Sequence, residues 1–129
     1  MLAHGDSFTF ERTLTQGDFD AFAALSGDDN PIHVNPAFAA RTRFGRTVSH
    51  GMLLYGLLCA ALAEAAPGAA HLAQELVFPA PTYAGEPLRI ALRAAEVDAE
   101  ARRALVEATV TRPDGEMVCR GATTLSWSE

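Results

Sequence analysis

The apolar positions fall into two rhythms, divided near Gly68. Before it they recur mostly at helical spacing; after it they alternate. Residues 7–14, SFTFERTL, open the chain with Phe8 and Phe10 on one side, which predicts a short strand. From Thr15 the period lengthens. Thr15 and Asp18 form a capping pair, Phe19, Phe22 and Leu25 recur one turn apart, and Gly27 supplies a stop. Asn35-Pro36 opens a second, short helix that runs to about Arg43 and ends at Gly45. A long helix then begins at Ser49 or His50 and is terminated by Pro67-Gly68. It is apolar on nearly every side until Glu64, so it is expected to be buried and wrapped by a sheet.

Everything after Gly68 reads as strands: His71 to Phe78, then the alternations Leu88/Ile90/Leu92 and Ala104/Val106/Ala108/Val110, then Met117 to Trp127 after the turn Arg112 to Glu116. These four strands are expected to run as a meander. One buried helix on a mostly antiparallel sheet is an α+β architecture. Residues 1–129 read as one domain, without repeats or linkers. A single curled sheet leaves an open edge, so a homodimer formed by edge-to-edge strand pairing is expected.

Composition narrows the function. The chain is 49% hydrophobic with a formal net charge of −6, which supports a real core and disfavours nucleic-acid binding. All ten basic residues are arginine, so a phosphate-bearing ligand would be held by guanidinium forks or backbone N–H groups. Cys59 and Cys119 lack metal-ligand spacing and read as buried free thiols in a reducing compartment. The first residues carry no charged segment followed by an apolar one, and the longest apolar run, Gly51 to Ala63, is shorter than the ~20 residues of a membrane span. A cytoplasmic protein with no membrane contact is expected.

The chemistry concentrates in Ser26 to Pro36, SGDDNPIHVNP. Pro31 forbids a helix continuing through Asn30, so the segment must turn. A tight turn can bring the Asp28 carboxylate and the His33 imidazole to one side, with a water between them: the carboxylate accepts a hydrogen bond and the imidazole exchanges a proton. The competing reading is an ordinary Asx-rich turn with a core histidine. SHGML shifts the balance. It places Gly51 at the start of the buried helix, where unpaired N–H groups suit a developing oxyanion.

These residues resemble the hydratase motif of the MaoC-like, (R)-specific enoyl-CoA hydratases: S-G-D-x-N-P-[IL]-H, then F-G, then H-G-M-L, strong over about Asp18 to Leu58. The resemblance implies a hot-dog fold, a long helix wrapped by an antiparallel sheet, in dimers. It implies that Asp28 and His33 activate water, that Asn30 orients the site, and that the Gly51 N–H polarises a thioester carbonyl. The implied reaction is syn hydration of a trans-2-enoyl thioester to the (R)-3-hydroxyacyl thioester, or its reverse, with no metal and no cofactor beyond the coenzyme A or phosphopantetheine of the substrate. Partners would be an acyl-CoA or an acyl-carrier-protein thioester. Departures are Asp29 beside the catalytic position, expected to face solvent, Asn35 after the histidine, and Cys59 where some relatives have a hydroxyl.

Ser49, His50, Tyr55 and Arg46 are candidate substrate-binding residues. For Ser49 a helix cap, for His50 a backbone contact, and for Tyr55 plain core lining are the alternatives. Arg41, Arg43 and Arg46 cluster either as a solvated face or as a dock for phosphates. Two other functions use the same frame: a dehydratase acting on carrier-protein-bound intermediates, and a non-catalytic hot-dog subunit of a heteromeric dehydratase. A hot-dog thioesterase is disfavoured, because the only carboxylate of the long helix, Glu64, lies near its end.

Overall fold

The computed structural model describes residues 1–128. Strand β1 (Ser7–Thr13) leads into helix α1 (Gln16–Ser26), followed by two single-turn helices, α2 (Pro31–Val34) and α3 (Pro36–Ala39). The long helix α4 (Gly51–Ala65) comes next, then β2 (Ala70–Val77), β3 (Pro87–Asp98), β4 (Arg103–Thr111) and β5 (Met117–Ser126). The Thr15/Asp18 capping box is reciprocal: the Asp18 N–H donates to Thr15 Oγ1 at 3.2 Å, and the Thr15 N–H to Asp18 Oδ2 at 2.8 Å. Gly27 ends α1 in the left-handed conformation at φ 82°, which a glycine adopts without strain.

The strands form one antiparallel sheet in the order β1-β3-β4-β5-β2. The expected meander therefore holds only for β3, β4 and β5. β2 does not pair with β3; it crosses to the far edge and pairs with β5, Val77 opposite Arg120. Alternation fixes which face a strand buries but not which neighbour it finds. Between β4 and β5, Arg112 grips the Asp114 carboxylate with two hydrogen bonds, at 2.8 and 3.2 Å, and this ion pair holds that carboxyl below the usual range.

The core lies between the sheet and α4. Leu88, Ile90 and Leu92 of β3, Val106 and Val110 of β4 and Leu125 of β5 meet Leu54, Leu58 and Leu62 of the helix. Each fully buried leucine contributes roughly 1.5–3 kcal/mol. The helix is less enclosed than its composition suggests. Met52, Gly56, Ala60 and Ala63 form an outward stripe that the sheet does not cover. Cys119 is buried, which pushes its thiol up to about 11; Cys59 is half-buried.

Candidate active site

The segment between α1 and α4 is a set of short turns fastened at each step. Ser26 Oγ accepts from the Asp28 N–H at 3.1 Å. Asn30 caps α2, its Oδ1 accepting from the Ile32 N–H at 3.2 Å, and Pro31 occupies the first helical position. Gly27 has already ended α1, and the proline starts α2. One turn later His33 is buried, its carbonyl accepting from Gln16 Nε2 at 2.8 Å. Gln16 in turn accepts from the Thr47 hydroxyl at 2.5 Å. The loop is thereby moored to the start of α1.

His33 Nδ1 lies 2.8 Å from the Val48 carbonyl. A carbonyl only accepts, so Nδ1 carries a proton, and in the neutral ring Nε2 presents a bare lone pair. That lone pair stands 3.9 Å from Asp28 Oδ2. The gap is too long for a direct hydrogen bond and fits a water about 2.8 Å from each atom. The Asp28 side chain is 55% exposed and His33 almost enclosed, so the pair joins a solvated carboxylate to a sheltered base. Asp29 is exposed to solvent.

Gly51 is the first residue of α4, and no side chain caps the N–H groups of that turn. They remain open donors at the positive end of the helix. The missing side chain has a second use: a Cβ here would meet the Phe78 ring at 2.9 Å. A cavity of about 290 Å³ joins His33 to the start of α4, lined by His33, Ser49 and Gly51, by Ile32, Val48 and Leu54, by Arg43 and Phe44, and by Phe78 to Thr82 with Val118; Asp28 and Asn30 are not among its lining residues. A larger hollow, about 520 Å³, lies over β2, β4 and β5 beside Glu75, Glu107 and Arg120; it holds neither the pair nor a helix N-terminus.

The remaining candidates are placed unevenly. Ser49 lines the cavity but does not cap α4; its hydroxyl donates to the His50 carbonyl at 3.0 Å, and its N–H to the Thr82 carbonyl at 2.8 Å. His50, a candidate for substrate contact, takes the alternative role. It is 2% exposed, hydrogen-bonded through Nε2 to the Asp28 carbonyl at 2.8 Å and stacked on the His33 ring at 3.8 Å. Burial between those two residues and Phe22 removes it from ligand contact. Tyr55 is outside the cavity; its hydroxyl faces His71 Nδ1 at 3.3 Å, and burial together with Cys59 raises its pKa. Arg46 is also outside, stacked 3.9 Å over the Tyr83 ring and 3.7 Å from Glu86. Arg43 lines the cavity in its place. Sequence reasoning missed Phe78 and Thr82, which reach the site by chain crossing, and Gln16, whose only signal is its place beside a helix cap.

Asp28, His33 and His50 are the grouping of metal-ligating side chains found among the described residues, with atoms within 4.8 Å of one another. Imidazole binds an ion through a lone pair in the plane of its ring. The two rings here are stacked with 25° between their planes, so those lone pairs run side by side rather than converging. The arrangement fits an acid–base pair better than a shared ion. Among the described residues, no helix is long and apolar enough to cross a membrane.

The chain matches known proteins over most of its length. The family model described as MaoC like domain matches residues 2–115. A 3-hydroxybutyryl-CoA dehydratase from Methylorubrum extorquens is 37% identical over 113 residues, 86% of this chain and 71% of that one. An (R)-specific enoyl-CoA hydratase from Aeromonas caviae is 45% identical over 115 residues, 88% of this chain and 75% of that one. The fold superposes on an unliganded R-hydratase from Pseudomonas aeruginosa with a TM-score of 0.91 at 32% identity, covering 99% of this chain and 84% of the other.

Proposed function

Because this chain belongs to the MaoC-like domain family, we propose that it is a hydro-lyase that adds water to a trans-2-enoyl thioester, giving the (R)-3-hydroxyacyl thioester, or catalyses the reverse dehydration. The observation that carries this reading is the 3.9 Å gap between Asp28 Oδ2 and His33 Nε2, set beside the uncapped start of α4. Asp28 orients the water and His33 Nε2 takes its proton. The water oxygen bonds to C3, and the π electrons move onto the thioester oxygen, whose enolate charge the Gly51 N–H holds. The proton then passes to C2 from the same side, so the addition is syn and His33 returns to its starting state. Asn30 acts through the turn it caps. Each step needs only groups that the chain supplies.

The thiol part of the substrate, coenzyme A or a carrier-bound phosphopantetheine, enters past Arg43. This guanidinium lines the cavity, lies 4.6 Å over the Phe44 ring and has no acidic partner among the described residues. The protein works as a homodimer, a reading supported by the free edge of β2, with Leu72 and Val77 exposed on it and Phe78 just past its end, and by the open stripe on α4.

The test is loss of enoyl-thioester conjugation across acyl lengths, offered as coenzyme A and as carrier-protein thioesters. Asp28→Asn and His33→Ala are expected to fold and to lose nearly all turnover. Full activity in His33→Ala would refute the mechanism. Turnover of carrier-protein thioesters alone would assign the enzyme to acyl-chain assembly.

A further inference from the structure

His50 is spent on neither the water nor the substrate, yet it touches both members of the pair. Its Nε2 contacts the carbonyl of Asp28 itself at 2.8 Å, and its ring lies face to face with His33 at 3.8 Å. Its Nδ1 is shielded from solvent and has no hydrogen-bond partner. Phe22 closes the remaining side, edge-on at 4.8 Å.

Only one placement of the proton suits these contacts. With the proton on Nδ1, a buried N–H would lack an acceptor and the Nε2 lone pair would face a carbonyl lone pair. With both nitrogens protonated, the orphaned N–H would persist and a charge would be buried against His33. With the proton on Nε2, the Asp28 carbonyl gains its donor, and the only unsatisfied atom is a bare lone pair. A phenylalanine would fill this site without that unsatisfied atom but could not hold the carbonyl. The polar ring therefore has a use that packing does not explain.

We propose that His50 is a positioning residue of this site: as the Nε2–H tautomer it ties the Asp28 backbone and seats the His33 ring, and so sets the water gap between them. The inference rests on the reading of Asp28 and His33 as the reacting pair. His50 touches no reacting atom, and its effect passes through the geometry of the other two. Misplacing reacting groups by an ångström costs on the order of a hundredfold in rate, so losing one of the two holds should cost about tenfold or more.

Two measurements test this. In the wild-type protein, long-range proton–nitrogen correlation of the histidine rings should show opposite tautomers, Nδ1–H at His33 and Nε2–H at His50. In steady-state kinetics, His50→Phe keeps the stacking surface and removes the tether. It should lower kcat about tenfold or more while KM stays within about twofold. His50→Gln places an amide donor near the Nε2 position and should recover part of that loss. Thermal melts establish that each variant is folded; if His50→Phe is not, the tautomer measurement and His50→Gln decide.

An Nδ1–H tautomer at His50, or a folded His50→Phe with wild-type kcat, overturns the proposal. A parallel rise of KM with unchanged kcat also overturns it, because that is the mark of lost binding. Inactive Asp28→Asn and His33→Ala beside a fully active His50→Phe would sink this inference alone. Active Asp28→Asn and His33→Ala would sink the reading beneath it, whatever tautomer His50 shows.

Discussion

Replacing Gly51 with alanine separates what the site needs from what the fold needs. The added Cβ would lie 2.9, 3.0 and 3.3 Å from three carbons of the Phe78 ring. Ordinary carbon contacts begin near 3.5 Å, so the ring must retreat by roughly half an ångström or more. It has room, being 42% exposed and at the end of a flexible side chain. Uncovering about 20–40 Å² of apolar surface costs roughly 0.5–1 kcal/mol. Alanine in place of glycine in a helix returns up to about 1 kcal/mol. The two nearly cancel, so the melting temperature should move by no more than about 5 °C. The site should fare worse. The methyl group stands beside the open N–H groups of α4, and the displaced ring alters a cavity of about 290 Å³ that both residues line. Losing one oxyanion donor costs about a hundredfold to a thousandfold in kcat, and weakening it should cost at least about tenfold in kcat/KM. The assay pairs enoyl-thioester turnover with a thermal melt. Full activity at an unchanged melting temperature would refute the placing of the oxyanion at the mouth of α4. A loss of more than about 3 kcal/mol would refute the idea that Phe78 yields.

The same substitution at Gly121 should behave in the opposite way, because its Cβ would lie 2.3 Å from the Glu75 carbonyl oxygen, and backbone does not step aside. Urea unfolding of Gly121→Ala should show a loss of about 3 kcal/mol or more, and a neutral result would contradict the β2–β5 register. Burial raises the Cys119 thiol from 9.0 to about 11, so the unfolded chain releases that proton first; this contribution is intact below about 9 and fades as pH rises towards about 11. Unfolding curves across that window should fall more steeply for the wild type than for Cys119→Ala, and equal slopes would count against the burial argument. Pairing through β2 predicts that Leu72→Arg, at an exposed position of that strand, shifts the sedimenting species from two copies towards one, and an unchanged dimer would place the interface elsewhere.

Local signals carry much of the fold. The Thr15/Asp18 box, Gly27 and Pro67-Gly68 act within one turn of chain, so the bounds of α1 and α4 can be read from composition at their ends. The candidate site is legible as a cluster for the same reason. Asp28 and His33 are five residues apart, and the proline that bends the chain between them lies in the same short stretch. What escapes is adjacency in space. Nothing in the alternation of His71 to Phe78 says that β2 crosses to β5, and the wall from Phe78 to Thr82 reaches the cavity only through that crossing. The arginines illustrate the same limit. Arg43 and Arg46 lie three positions apart, yet one lines the cavity and the other is stacked on Tyr83, a residue from the segment between β2 and β3. Pro31 reads as a breaker in the sequence and serves equally as the opening residue of α2.

The two outer strands of the sheet are unlike each other. β1 ends it with Glu11 and Arg12 in solvent, charges that discourage a second strand from adding there. β2 ends it with Leu72 and Val77 uncovered. A sheet that welcomed strands on both sides could grow without limit, copy upon copy, into a fibre. With one welcoming side, two copies related by a two-fold axis use up the only growth point. In the proposed dimer, the asymmetry that permits pairing through β2 would thus also stop assembly at two.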